Sequence, residues 1–132
     1  MWKFVFAFPL IMHGLANLAG FFEAFGRAPR GFNDQPWIFS PDVKLQSAIG
    51  RLFGILWLIS TICLIGAGVG LIFHQSWWAL AAISAAVCSL LAILPWWNTV
   101  VPGARLAAFF DLVVIVILLS PLRLPIYQLI GG

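Results

Sequence analysis

IGRLFGILWLISTICLIGAGVGLIFHQSWWALAAISAAVCSLLAILPW, residues 49–96, is two long apolar runs separated by one short polar break. The first, Ile49 to Phe73, carries a single charge, Arg51; the second, Trp77 to Trp96, carries none. A helix that crosses a bilayer needs about 20 mostly apolar residues, and each run meets that length. His74-Gln75-Ser76 leaves room only for a tight turn, so the two helices must lie antiparallel and side by side. This stretch decides the fold.

Two more runs flank it. Upstream, WKFVFAFPLIMHGLANLAGFF spans Trp2 to Phe22, with Pro9 mid-helix, where a missing backbone donor predicts a kink. It has one lysine as its basic flank and no small-residue cleavage site, so it reads as a retained span rather than a signal peptide. Downstream, Gly103 to Leu122 forms the last run. Pro95 and Pro102 bracket the connection before it, and Pro121 and Pro125 are expected to stop it. The predicted fold is an all-α membrane protein: an antiparallel up-down bundle of four transmembrane helices, at about 2–22, 49–73, 77–96 and 103–122, forming one domain over 1–132.

Composition agrees. Hydrophobic residues make up 63% of the 132 and charged residues only 8%, where a soluble domain carries about a quarter charged. The net charge of +3 is too sparse for a nucleic-acid patch and fits basic residues left at lipid headgroups. Cys63 and Cys88 sit inside apolar runs, ten or eleven residues from the 74–76 turn, so they are level and read as packing residues.

The first connection, Glu23 to Ala48, holds Arg27, Pro29, Arg30, Asp34, Pro36, Pro41, Asp42 and Lys44, which rule out a further span. Within it, PWIFSP reads either as a segment lying in the membrane interface or as a loop pinned by Trp37. Trp2, Trp77 and Trp78 fall toward one membrane face and Trp96 and Trp97 toward the other, as an aromatic belt requires; Trp57 alone falls inside a span. Arg27, Arg30, Lys44, Arg51 and Arg105 lie on the face of the first and third connections, against Lys3 and Arg123 opposite. That bias predicts cytoplasmic first and third connections.

Small residues predict tight packing: Gly50/Gly54 and Gly66/Gly70 on the second span, Ala81/Ala85/Ser89 on the third, Ala16/Gly20/Ala24 on the first, and Ala104/Ala107/Ala108 on the fourth.

Polar groups deep in a bilayer are expensive, so they turn inward and pair. His13 lies nine residues in from the end of the first span, and Asp111 eight residues in from the start of the fourth on the same face. Both are therefore roughly 12–14 Å deep. Asn17 shares a helix face with His13 one turn away. Arg51 lies about a turn inside the second span, and Glu23 closes the stripe at the surface. These five residues predict a half-membrane pocket opening toward the first and third connections. The competing reading is an interhelical clamp in which Asp111 is satisfied by His13 or Arg51. His74 lies at the opposite surface from His13, which excludes bis-histidine haem, and there is no Gly-rich phosphate loop, Ser-His-Asp arrangement or metal-ligand cluster in the sequence.

HGLANL at 13–18, the long first connection, GRLFGILWL at 50–58 followed by GAGVG, and the short later turns resemble the DoxX-like group of small bacterial four-helix membrane proteins. That group often has a lysine near the end of the first span, where this chain has Asn17. The resemblance implies a bacterial plasma-membrane accessory subunit of a larger, possibly redox, complex. The alternative from the residues is an intramembrane binder or carrier of an apolar ligand with a polar head, a quinone or lipid, held by His13, Asn17, Glu23, Arg51 and Asp111. The bilayer itself, a membrane complex or a homo-oligomer are the expected partners; no catalytic motif points to an enzyme.

Overall fold

The structure, a computed structural model, describes residues 1–26, 36–40, 42–98 and 103–130. Arg27, Pro29, Arg30, Asp34, Pro41 and Pro102 lie outside the described residues. Five α-helices occur among those described: α1 (Trp2–Ala24), α2 (Ala48–Ile72), α3 (Trp78–Ile93), α4 (Gly103–Leu119) and α5 (Arg123–Ile130). A 3-10 turn, Leu94–Trp96, extends α3. The helices α1, α2 and α3 with its 3-10 extension are each long and apolar enough to cross a membrane. The fourth candidate is α4 together with α5, a pair bent by 86°.

Local chemistry sets the helix ends. Pro9 sits inside α1 without ending it. That helix stops where Gly26 takes a left-handed φ of 71° and its N–H donates to the Glu23 carbonyl at 2.9 Å. Ser47 caps α2, its Oγ accepting from the Gly50 N–H at 3.2 Å. At the other end, His74 is left-handed (φ 55°) and Gln75 N–H donates to Gly70 carbonyl at 2.8 Å, the six-to-one bond of a Schellman turn. Lys3 Nζ donates to the Ile72 carbonyl at 2.9 Å and lies 3.3 Å from His74 Nε2, joining the start of α1 to the end of α2. Pro121 lies in the break after α4, but Pro125 does not stop the chain. It occupies the first turn of α5, where a proline gives up no helical bond.

Packing follows chain order, with α1 on α2, α2 on α3 and α3 on α4. What is inside is small, aromatic or polar: Ala24, Ala67, Ala82, Ala85, Ala86, Ser60, Ser89, Trp57 and Trp96. Large aliphatic and aromatic side chains such as Phe8, Ile62, Leu80, Leu106 and Phe109 point outward. A helix surface of that kind fits a lipid bilayer environment.

Several sequence expectations are corrected here. Trp78 and Trp96 are core residues rather than belt residues, Trp78 packing on Tyr127 and Trp96 against Phe53, Phe39 and Trp57. Gly66 meets nothing across the helix surface, whereas Gly14, Gly54 and Gly68 stand against the neighbouring helix. The described part of PWIFSP is neither helix nor strand. Trp37 fastens it to the end of α3, its indole N–H donating to Leu94 carbonyl and its backbone N–H to Pro95 carbonyl at 3.2 Å.

Candidate functional site

His13 and Asp111 meet, as their equal depth predicts. Nε2 and Oδ1 are hydrogen-bonded at 2.8 Å between α1 and α4, with Asp111 fully buried. The imidazole also leans on Phe110, ring centroids 4.6 Å apart. Ser89 of α3 stands beside the carboxyl without bonding Oδ2. Asp111 Oδ2 is therefore enclosed without a partner, the one such side-chain atom among the described residues.

Asn17, one turn from His13, is 4% exposed. Its Nδ2 donates to Ser60 Oγ on α2 at 3.0 Å and to Ser89 Oγ on α3 at 3.1 Å. Ser60 in turn donates to the Ala85 carbonyl at 2.9 Å. One polar layer thus draws on α1, α2, α3 and α4. Ser60 and Ser89 were not among the sequence candidates, Ser89 appearing only as a small packing residue. Their signal was angular: Ser60 continues the stripe of Gly50, Gly54, Trp57 and Leu64, all buried, at helical spacing.

Arg51 and Glu23 do not join this layer, against the expectation that all five polar residues converge. Arg51 is exposed, its guanidinium 5.9 Å from the Phe25 ring centroid. Glu23 binds the start of α2 region instead, its Oε1 and backbone carbonyl accepting from Gln46 Nε2 at 2.8 and 3.2 Å.

Beside the layer, α1 and α4 stand apart. A cavity of about 350 Å³ lies between them, walled by Ala16, Asn17, Ala19 and Gly20 on one side and Gly103, Ala104 and Ala107 on the other, with Trp57 and Ile93 behind. Ala16 and Gly103 at its rim are exposed, so it opens sideways from the protein. His13 borders a shallower groove that shares Ala16, Gly103 and Ala107 with it.

Among the described residues no group of three or more His, Cys, Asp or Glu side chains comes together. Cys63 and Cys88 are free thiols. Fold and site together describe a helical protein with candidate membrane spans and an interior polar layer beside a lateral apolar cavity. No family model matches the chain, and neither a curated protein nor a solved structure matches it.

Proposed function

We propose that the protein binds an apolar molecule with a polar head, a lipid or quinone, in the lateral cavity between α1 and α4. The carrying observation is that cavity itself: walls of hydrocarbon with one strongly polar side chain, Asn17, set into them. A pocket that is mostly apolar with few placed polar groups is the usual form of a small-molecule site. In this reading four helices cross the bilayer as an up-down bundle. At 17 residues α4 is about 25 Å long and forms the short fourth crossing, and α5 turns along the surface. The excess of basic residues on the face of the first and third connections orients those connections to the cytoplasm of a bacterial plasma membrane. His13 and Asp111 act as the clamp that holds α4 to α1, and Arg51 and Glu23 belong to the membrane surface.

A second reading has its own support. The cavity walls carry Ala16 and Gly20 opposite Gly103 and Ala107, spacing that admits the backbone of another helix. With the DoxX-like layout, this favours an accessory subunit that receives a partner's helix in a larger membrane complex. Native mass spectrometry of the protein extracted in mild detergent separates the two. Retained small amphiphiles, released by activation in the gas phase, are expected. A stoichiometric protein partner with no small molecule would overturn the binder reading in favour of the subunit.

A further inference from the structure

The orientation of one amide restricts what head the cavity can take; this rests on the binding role proposed for the cavity. Ser60 donates its only hydroxyl proton to the Ala85 carbonyl, so toward Asn17 it can act only as an acceptor. That fixes which end of the Asn17 amide faces Ser60. It must be Nδ2, and both Nδ2 protons are then used, one on Ser60 and one on Ser89. Oδ1 is left on the other side of the side chain. It receives no hydrogen bond among the described residues, and it is not sealed in, since Asn17 lines the cavity. Asn17, 96% buried, thus lines an apolar hollow with its acceptor unmet among the described residues.

The other side chains of the walls are hydrocarbon apart from the indole of Trp57, which can donate but not accept. We infer that the cavity selects a bilayer amphiphile with a hydroxyl head, whose O–H donates to Asn17 Oδ1. A hydroxyl satisfies Oδ1 and retains lone pairs for an indole N–H. An ester, ether or ketone head has nothing to donate, and it would bury Oδ1 unmet. For a quinone-like molecule the same logic selects the reduced, hydroxyl-bearing form. The chain of the amphiphile leaves past the exposed rim at Ala16 and Gly103, into the surrounding hydrocarbon.

The test uses two photoreactive probes with the same diazirine-bearing chain, one a long-chain primary alcohol and the other its methyl ether. Each is added to the full-length protein in phosphatidylcholine vesicles, and labelled peptides are located by mass spectrometry. The alcohol is expected to label the segments around Ala16–Gly20 and Gly103–Ala107 about fivefold more than the ether, the ratio one net hydrogen bond sets. Labelling of outward residues such as Leu112 and Val116 should be equal for the two. Equal labelling of the cavity overturns the hydroxyl inference while leaving the cavity as a site. Labelling confined to outward residues for both probes overturns the binding role itself. Ala107→Phe fills the hollow without touching the Asn17 bonds and should abolish the preference; a preference that survives it overturns the placement of the hydroxyl at Asn17.

Discussion

Helix α1 faces α2 on one side and α4 on another, and the two seams are built on opposite plans. Against α2, each small residue meets something that fills the space it leaves. Gly14 abuts Leu64, Ile65 and the Thr61 carbonyl, Gly20 lies under the Trp57 indole, and Gly68 receives Ile11 and the Ala7 carbonyl. Against α4, small faces small: Ala16, Ala19 and Gly20 look across at Gly103, Ala104 and Ala107, and a hollow of about 350 Å³ remains. There the helices are joined by side chains, His13 to Asp111 and His13 to Phe110. On the α2 seam the small residues are met by bulk or, at Gly54 and Ala24, by close approach of the backbones; on the α4 seam they are met by neither. There they leave a vacancy, and in a membrane a vacancy open to the side is accessible to lipid-like molecules.

The sharpest way to break this contrast is to add bulk to each seam. In Gly20→Val the new side chain would run into the Trp57 indole, since even a Cβ there falls on the ring atoms. The expected loss is the largest of the set, about 1–3 kcal/mol or more, read as unfolding free energy in bicelles or as Tm in detergent. Ala16→Val adds similar bulk at the exposed rim of the other seam and should change stability by no more than about 0.5 kcal/mol. Equal losses from the two variants would mean that the seams are not packed differently.

The bridge across the open seam is tested by a double-mutant cycle. Asp111→Ala and His13→Ala each remove one partner and leave the other without it, an expected loss of about 1–3 kcal/mol per variant. The coupling between them is expected to be smaller, near 0.6 and at most about 1.7 kcal/mol, the range found for interhelical polar contacts in membranes. Zero coupling would show that the pair does not hold α4 to α1.

The pattern of agreement has a physical reason. Depth along a helix can be read from sequence, because the rise per residue is fixed, and depth alone brought His13 and Asp111 together correctly. Azimuth needs the buried stripe as well, and that stripe is blurred when both lipid-facing and core-facing residues are apolar. On α2 the core stripe is small and polar, Gly50, Gly54, Ser60 and Thr61 with Trp57, while the outward stripe is aliphatic. Reading small and polar as inward would have recovered Ser60 and Ser89. It would also have set Arg51 outside, one position and about 100° from Gly50. The 86° turn into α5 was not legible either, because Pro121 and Pro125 signal a stop whether or not a new helix begins between them.

Arg51 supplies the smallest effect and the finest test of the angular argument. It lies on the outward stripe with Leu52 and Ile55, near the start of α2, with its guanidinium over the Phe25 ring. An exposed cation over an aromatic face is worth about 0.5–1 kcal/mol at most. A long basic side chain at that depth reaches the headgroups rather than the interior. Arg51→Gln should therefore cost less than about 1 kcal/mol in unfolding free energy. It should leave the alcohol-over-ether labelling ratio at Ala16–Gly20 unchanged, because neither Asn17 nor either wall of the cavity depends on it. If the ratio collapsed in Arg51→Gln while the fold survived, the guanidinium would have to reach the polar layer after all. The division between an inner layer of His13, Asn17, Ser60, Ser89 and Asp111 and a surface pair of Glu23 and Arg51 would then fail.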